Sequence, residues 1–372
     1  MESQEKMEKV ILGRSGLEVS VIGWGGAGTS GDPSTPGPRQ AAPWTELEPI
    51  WEEARRWGCN FIDTAPSYGY SEELIGEQLS HRRKEFLIAT KSHPVDADQT
   101  LRDIENSLRR LRVDVIDLFY APHGCWDEER FTNCFKKGGV IEGGLKAKER
   151  GLARHLAFSF DYFQSLDIKR LRALIDTDVF EVVQFPYSLV CVEPIDEEIL
   201  PFAREKKMGT IANFPTISGL TGREWGVFYA IFEGLVDTPG QATLLGILAH
   251  PGIDCVLSKF SSVARAAENC RAGAVLAGLS MEQRAHLRQR IEALGRVRFL
   301  QREACPPAPP GVNFRWGMIY FDLFTRFGYG GARRQVEQFV RQLQAHEDWE
   351  WDPSVRELVE AVKRSCPVFL EK

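Results

Sequence analysis

The sequence contains no Cys-x-x-Cys pair, although eight cysteines are spread over its 372 residues. Scattered cysteines in a chain of this length are typical of reduced thiols and argue against a disulfide framework. No apolar run approaches the ~20 residues that a membrane-spanning helix requires. The charged opening, MESQEKMEKVILG, lacks the apolar core of a signal peptide. These features predict a soluble protein of the cytoplasm.

A large excess of charge of one sign is also missing. The chain has 46 basic and 52 acidic residues, which are interspersed and give a formal net charge of −6. This balance gives no electrostatic reason to expect nucleic acid or an anionic membrane surface as a partner. Hydrophobic residues make up 43% of the chain, which is typical of a globular protein with a substantial core.

Apolar runs of about five residues recur, each followed by a segment with helical periodicity. In residues 98–111, Leu101, Ile104 and Leu108 fall on one face at spacings of three and four. Further helix-like segments are 44–57, 71–79, 140–150, 165–175, 193–207 and 261–273. The runs that predict strands are VSVIGWG (19–25), NFIDTA (60–65), FLIATK (86–91), VIDLFYA (115–121), ARHLAFS (153–159), FEVVQF (180–185), TIANF (210–214) and DCVLSK (254–259).

Eight strands that alternate with helices favour parallel strands joined by right-handed crossovers. The count of eight favours a closed (β/α)8 TIM barrel, an α/β fold, over a doubly wound open sheet. The segment VILGRSGLEVS (10–20) alternates polar and apolar residues and predicts an N-terminal β-hairpin at the bottom of the barrel. Residues 1–275 would then form the barrel, and residues 276–372 a helical C-terminal extension packed on it.

The segment GWGGAG (23–28) matches the dinucleotide-binding pattern G-x-G-x-x-G after a predicted strand. That pattern binds a dinucleotide when a helix follows at once and presents its N-terminal amides to the pyrophosphate. Here the residues TSGDPSTPGPRQAAP (29–43) follow, and they do not favour a helix. The pattern therefore indicates a glycine-rich loop rather than a Rossmann domain.

Three side chains near the ends of two predicted strands could act together as a general acid. Asp63 ends one strand, Tyr68 follows in the next loop, and Lys91 ends the strand after it. In a parallel barrel these strand ends form the active-site face. A neighbouring ammonium lowers the pKa of a tyrosine from its reference value near 10, and a carboxylate holds the lysine in place. The result is a general acid that can protonate a carbonyl oxygen as hydride arrives.

The residues FIDTAPSYGYSE (61–72) resemble the signature of the aldo-keto reductases. By this resemblance Asp63, Tyr68 and Lys91 belong to a catalytic tetrad with a histidine, here His123. That histidine usually falls five residues after the strand's aspartate, but His123 falls six after Asp117. A β-bulge would absorb the extra residue and aim the ring inward, whereas without one the ring would face away. The resemblance continues through VDVIDLFYAPHG (113–124), LKAKERGLARHLAFSF (145–160), VVQFPYS (182–188) and VLSKFSSVARAAENCRA (256–272).

The same resemblance implies a site for NADP(H). Ser159 and Gln184 match the positions that hold the nicotinamide carboxamide. The positions around the adenosine end are matched by Lys259, Arg265, Glu268 and Asn269. Two cations near a helix start favour the 2′-phosphate of NADP.

The seventh barrel strand departs from the family pattern. The family often stacks an aromatic ring from this strand on the nicotinamide, and this sequence has Asn213 and Phe214 there. Either Phe214 takes over the stacking, or the stacking is absent.

The tail from Cys305 resembles the C-terminal extension of those aldo-keto reductases that end in a ferredoxin-like cysteine cluster. The segment CPPAPPGVNF (305–314) keeps the proline-glycine-valine pattern with a single cysteine, whereas a [4Fe–4S] cluster needs four thiolates. We therefore expect no cluster and no other metal, and a tail that packs against the barrel.

The resemblance implies an NADPH-dependent oxidoreductase that reduces a small-molecule aldehyde or ketone, or oxidises the alcohol, with Tyr68 as general acid. Aromatic residues in the loop 123–140, namely Trp126, Phe131 and Phe135, suit an apolar or ring-bearing substrate. Two alternatives on the same fold are a nucleotide-binding regulatory protein that turns over poorly and a redox-neutral, epimerase-like enzyme. The shifted histidine favours the regulatory alternative, and the complete set of Asp63, Tyr68 and Lys91 opposes it.

Overall fold

The computed structural model describes most of the chain outside its first and last residues. No helix in the part that it describes is long and apolar enough to cross a membrane. The described residues are 6–27, 46–124, 127–160, 167–189, 195–215, 230–293, 307–327, 333–346, 348–351 and 353–364.

Eight parallel strands form a closed barrel, which confirms the predicted fold. Strand order around the barrel follows the chain from the first strand to the eighth, and the eighth pairs with both the seventh and the first. A two-stranded antiparallel sheet precedes the barrel. The strands are β1 (Lys9–Ile11), β2 (Glu18–Ser20), β3 (Ile22–Gly25), β4 (Phe61–Asp63), β5 (Leu87–Lys91), β6 (Ile116–His123), β7 (Ala153–Ser159), β8 (Val182–Pro186), β9 (Gly209–Asn213) and β10 (Cys255–Ser258).

Helices follow the barrel strands on the outside, where their apolar faces cover the sheet. The predicted segment 193–207 is divided into a π-helical turn, Ile195–Ile199, and a short α-helix. The helices are α1 (Leu47–Arg56), α2 (Ser71–Leu79), α3 (Ala97–Leu111), α4 (Glu128–Phe135), α5 (Val140–Glu149), α6 (Ile168–Asp176), α7 (Leu200–Glu205), α8 (Pro239–Leu248), α9 (Val263–Gly278), α10 (Met281–Ala293), α11 (Phe314–Phe327), α12 (Arg333–Gln344) and α13 (Pro353–Arg364).

Side chains of the barrel strands alternate between the barrel interior and the helix layer, because successive residues of a strand face opposite ways. On β6, Leu118 and Tyr120 belong to the interior cluster, while Phe119 and Ala121 belong to the outer one. The same alternation gives each neighbouring strand a last residue that faces the interior. Inward positions at or near these strand ends carry Asp63, Lys91, Ser159, Gln184 and Asn213.

The predicted hairpin is present, but the single strand predicted over 19–25 is wrong. Residues 18–20 form β2, and the barrel strand β3 begins at Ile22. Leu12 and Val19 point from the hairpin region into the interior cluster, and Gly13 bridges to Met208 near the start of β9. The hairpin thus closes the bottom of the barrel, which leaves the upper end for a site.

Helices are present in the C-terminal extension, as predicted, and α9 continues beyond residue 275 to Gly278. Helix α10 is tied to the barrel by Arg288, which pairs with Asp196. Asp196 also accepts a hydrogen bond from the hydroxyl of Tyr187 at 2.8 Å. The apolar faces of α11, α12 and α13 belong to the same hydrophobic cluster as the helix layer of the barrel. Cys305 and the residues 29–43 lie outside the described residues.

Candidate active site

A buried ion pair lies at the upper end of the barrel. Lys91 ends β5 and Asp63 ends β4, and both side chains are at least 98% buried. The Lys91 ammonium donates to Asp63 Oδ1 and, at 2.9 Å, to the carbonyl oxygen of Thr64. Because two neighbouring strands supply the two charges, the closed sheet itself fixes their separation.

Two tyrosine rings flank the Lys91 ammonium, which lies 5.0 Å from the centroid of each. Tyr120 comes from β6 and is fully buried, whereas Tyr68 is half-buried in the loop before α2. A tight turn positions Tyr68: Gly69 adopts a φ of 61°, which glycine takes without steric cost. The structure therefore brings together Asp63, Tyr68 and Lys91, as the sequence predicted.

Gln184 connects the ion pair to the far side of the barrel. Its amide nitrogen donates to Asp63 Oδ2 at 3.1 Å and to the Tyr120 hydroxyl at 2.9 Å. Burial and the Asp63 carboxylate raise the pKa of Tyr120 well above its usual value. Tyr120 therefore stays a neutral phenol, and Tyr68 is the tyrosine that faces the open end.

His123 ends β6 and faces the interior of the barrel because the strand contains a bulge. The register with β7 shifts between Tyr120 and His123, so His123 pairs with Ser159. Its Nδ1 lies 2.6 Å from the Ser159 hydroxyl, an inward-facing group. The extra residue that the sequence shows after Asp117 is thus absorbed within the strand.

His123 is 2% exposed and lies against a second histidine. The rings of His93 and His123 have centroids 5.2 Å apart. Burial, the Lys91 ammonium and His93 hold the pKa of His123 well below its usual range. The imidazole is therefore neutral at physiological pH, with one nitrogen as donor and the other as acceptor.

We expect this buried neutral histidine to make the folded state sensitive to acid. The unfolded chain takes up a proton on His123 near pH 6.5, and the folded chain does so only at lower pH. The contribution of neutral His123 to the free energy of unfolding is therefore complete above about pH 6.5. It declines below that pH, by up to about 1.4 kcal/mol per pH unit for one proton. Urea unfolding between pH 5 and 7.5 should show a steeper loss for the wild type than for His123→Gln.

The matched control for this comparison is His81→Gln, since the His81 side chain is 60% exposed. It should keep the pH slope of the wild type. If the unfolding free energies of His123→Gln and the wild type changed equally with pH, His123 would not be a buried neutral group.

A cleft of about 500 Å³ opens at the carboxyl ends of the strands. Asp63, Tyr68 and Gln184 line one end, and the loop after β10 and the start of α9 line the other. The predicted cofactor residues Lys259, Arg265, Glu268 and Asn269 all lie on this second end. One cavity is thus lined by Asp63, Tyr68 and Gln184 and by the four residues predicted for the adenosine end, whereas Lys91, His123 and Ser159 are buried behind its lining.

The second end of the cleft is built on the start of α9. Ser262 caps this helix by accepting a hydrogen bond from the amide of Arg265 at 3.1 Å. The guanidinium of Arg265 donates to Glu268 at 2.6 Å, and Asn269 donates to Ser258 at 2.8 Å. Asn269 therefore holds the end of β10 against the helix, while Arg265 is turned along the surface of the cleft.

Lys259 contributes the second positive charge at this end. It is exposed, and its ammonium makes no hydrogen bond or ion pair with the residues that the structure describes. An exposed ammonium beside a capped helix start suits an anionic group.

The last residue of the seventh barrel strand and the residue after it both line the cleft and differ in character. Phe214 is 40% exposed, and Asn213 is buried at the end of β9. The sequence left open whether Phe214 stacks on the nicotinamide, and it gave Asn213 no role. The sequence signal that would have pointed to Asn213 is an amide residue at the end of the apolar run TIAN (210–213). Trp126 lies outside the described residues.

Comparison with known proteins gives the family. The model of the aldo/keto reductase family matches residues 22–225, more than half of the chain. The chain belongs to the aldo/keto reductase family. The matched region begins at β3 and includes the ion pair, Tyr68, His123 and Gln184.

Relatives of this aldo/keto reductase include a plant enzyme. L-galactose dehydrogenase of Arabidopsis thaliana is 27% identical over 310 residues, which cover 75% of this chain and 92% of the relative. An aldo/keto reductase from Klebsiella pneumoniae in complex with NADPH has a TM-score of 0.59 and 22% identity, covering 76% of this chain and 94% of the other. A thermostable aldo-keto reductase has a TM-score of 0.62 and 25% identity, covering 76% of this chain and 100% of the other.

Proposed function

We propose that the protein is an NADPH-dependent carbonyl reductase, which reduces an aldehyde or ketone or oxidises the corresponding alcohol. The observation that carries this proposal is the single cleft that runs from Asp63 and Tyr68 to Lys259 and Arg265. The family and the NADPH complex of the Klebsiella pneumoniae relative support the same activity.

The chemistry of the cleft fits a phosphorylated dinucleotide. At the end near α9, two cations and a capped helix start suit phosphate groups. At the end near Asp63, the lining combines this carboxylate, whose charge is paired with Lys91, with neutral amides and a half-buried phenol, which suit an uncharged ring. Lys259, Arg265, Glu268 and Asn269 would hold the adenosine end of NADP(H), and Ser159, Gln184 and their neighbours would surround the nicotinamide.

Bound NADPH supplies the hydride. Tyr68 donates a proton to the carbonyl oxygen as the oxygen gains charge, because its ring adjoins the Lys91 ammonium. Lys91 favours the phenolate that remains after this transfer. Asp63 holds Lys91 in place, and the burial of the pair keeps water away from its charges.

His123 takes part in this proposal as a neutral group that orients the substrate. Its contact with the Ser159 hydroxyl fixes the ring within the interior of the barrel. Because its pKa is low, it acts by hydrogen bonding and does not supply the proton.

Titration with NADPH and with NADH, followed by absorbance after addition of a panel of aldehydes and ketones, tests the proposal. We expect NADPH to bind more tightly than NADH and to be consumed with at least one carbonyl class. Binding without consumption would favour the regulatory or the redox-neutral alternative. No binding of either nucleotide would refute the cofactor assignment.

Removing the positive charges of the cleft should weaken the binding of NADPH more than that of NADH. Charged hydrogen bonds contribute about 1.5–3 kcal/mol each, so Lys259→Ala and Arg265→Ala should each raise the Kd of NADPH about tenfold or more. The Kd of NADH should change little, since NADH lacks the 2′-phosphate. Isothermal titration calorimetry measures both values.

Arg271→Ala is the matched control, because Arg271 lies further along α9 and pairs with Asp237. It should leave both dissociation constants unchanged. Equal losses for NADPH and NADH in Lys259→Ala and Arg265→Ala would argue against recognition of the 2′-phosphate.

The proposal includes an apolar or ring-bearing substrate and a cytoplasmic location for the enzyme. Phe131 and Phe135 on α4 contact each other with centroids 4.9 Å apart, and Phe135 is 45% exposed, which suits an apolar or ring-bearing substrate. Cysteines 59, 134, 255 and 270 are free and buried, in keeping with a cytoplasmic enzyme. Residues 276–372 would form the extension packed on the barrel of residues 1–275.

A further inference from the structure

Asn213 carries a buried oxygen that lacks a hydrogen-bond donor. The residue ends β9, faces the mouth of the barrel and is 8% exposed. Its Oδ1 accepts no hydrogen bond from any residue that the structure describes. A buried acceptor without a donor costs about 1–3 kcal/mol. Because Asn213 lines the cleft, a ligand bound there is placed to supply the missing donor.

The orientation of the Asn213 amide follows from its neighbours, since the oxygen and nitrogen of an amide are distinguished by their partners. The Asp63 carboxylate accepts from Gln184, so the amide nitrogen of Gln184 faces it and the oxygen faces Asn213. The nitrogen of Asn213 therefore donates to Gln184 Oε1 at 3.2 Å. It also donates to the carbonyl oxygen of Phe160 at 3.0 Å, which only accepts. Both contacts leave Oδ1 as the atom without a partner.

The other polar groups at this end of the cleft are already engaged. Both N–H groups of Gln184 donate, one to Asp63 and one to Tyr120. The Ser159 hydroxyl contacts His123. Of the lining residues that the structure describes, Asn213 alone has a buried polar atom without a partner.

We propose that Asn213 Oδ1 accepts a hydrogen bond from the carboxamide NH₂ of the nicotinamide, and that the seventh barrel strand recognises this ring by its amide rather than by aromatic stacking. The inference rests on the proposed function, because it requires NADP(H) in the cleft. The Asp63 carboxylate sets the amide of Gln184, and Gln184 sets the amide of Asn213. The catalytic ion pair and the orientation of the nicotinamide are thereby coupled through one chain of hydrogen bonds.

The test compares two ligands that differ in one donor. In the reduced 3-acetylpyridine analogue of NADPH, a methyl group replaces the carboxamide NH₂. The wild type should bind NADPH about ten- to a hundredfold more tightly than this analogue, because the analogue leaves Oδ1 unpaired. In Asn213→Leu, which has a similar volume and no acceptor, the ratio of the two dissociation constants should fall to about one. Asn213→Ala serves if the leucine variant does not fold.

Phe214→Leu is the matched control at the residue that follows β9. It should keep the wild-type ratio, whereas a loss of NADPH affinity in this variant alone would favour ring stacking and overturn the inference. An unchanged ratio in Asn213→Leu, or a wild type that binds both ligands equally, would also overturn it while leaving the proposed function intact. A wild type that binds neither ligand would refute the proposed function itself.

Discussion

Replacing Tyr68 with phenylalanine should lower kcat/KM for carbonyl reduction by about 10²- to 10⁴-fold, the usual contribution of a general acid. The change removes one hydroxyl and keeps the ring beside the Lys91 ammonium, so packing is preserved. The Kd of NADPH should therefore stay within about twofold of the wild type. Steady-state kinetics with the best substrate of the carbonyl panel, together with fluorescence titration of NADPH, measures both quantities.

Tyr70→Phe provides the matched control, since Tyr70 lies in the same loop at the start of α2. It should retain most of the activity. If Tyr68→Phe kept the activity of the wild type, another group would have to supply the proton. Tyr120 is a poor candidate for that role, because its raised pKa accompanies complete burial beneath Lys91.

Breaking the buried ion pair should strongly lower the free energy of unfolding. Lys91→Met leaves the Asp63 carboxylate buried without its cation, and breaking a buried pair in this way costs about 3–5 kcal/mol. Most of that cost comes from the uncompensated charge. Hence the double variant Asp63→Asn/Lys91→Met should recover a large part of the loss. Urea unfolding at pH 7 measures the free energies, and both variants should lack reductase activity.

Lys146→Met gives the surface comparison for this experiment. Lys146 pairs with Glu142 on α5, and both side chains are 45% exposed. Its removal should leave stability almost unchanged, because water screens exposed pairs. If the double variant lost as much unfolding free energy as Asp63→Asn and Lys91→Met together, the charges of Asp63 and Lys91 would not depend on each other.

One continuous network of hydrogen bonds and an ion pair lies at the mouth of the barrel. Lys91 contacts Asp63, Asp63 accepts from Gln184, and Gln184 accepts from Asn213. The network spans β4, β5, β8 and β9. A change at one member therefore alters the orientation of polar groups on the opposite side of the cleft, which is why catalysis and cofactor recognition should respond together.

Local sequence patterns are sufficient to predict the order of strands and helices and the residues at the strand ends. Apolar runs and helical spacings are local properties, and seven of the eight barrel strands and the helix of residues 71–79 lie where those patterns predict, whereas the run 19–25 is divided between β2 and β3. The placement of Asp63, Tyr68 and Lys91 at the active-site face follows from the same local pattern, because a parallel barrel brings strand ends to one side.

Which of these residues contact one another depends on the folded barrel and cannot be predicted from local patterns. Asp63 and Gln184 are 121 positions apart, and their hydrogen bond depends on the closure of the barrel. The inward position of His123 depends on a bulge relative to β7, which spacing within β6 alone does not reveal. The unpaired oxygen of Asn213 is likewise set by partners on other strands. Contacts between distant segments are products of packing, and periodicity reports only how each segment folds.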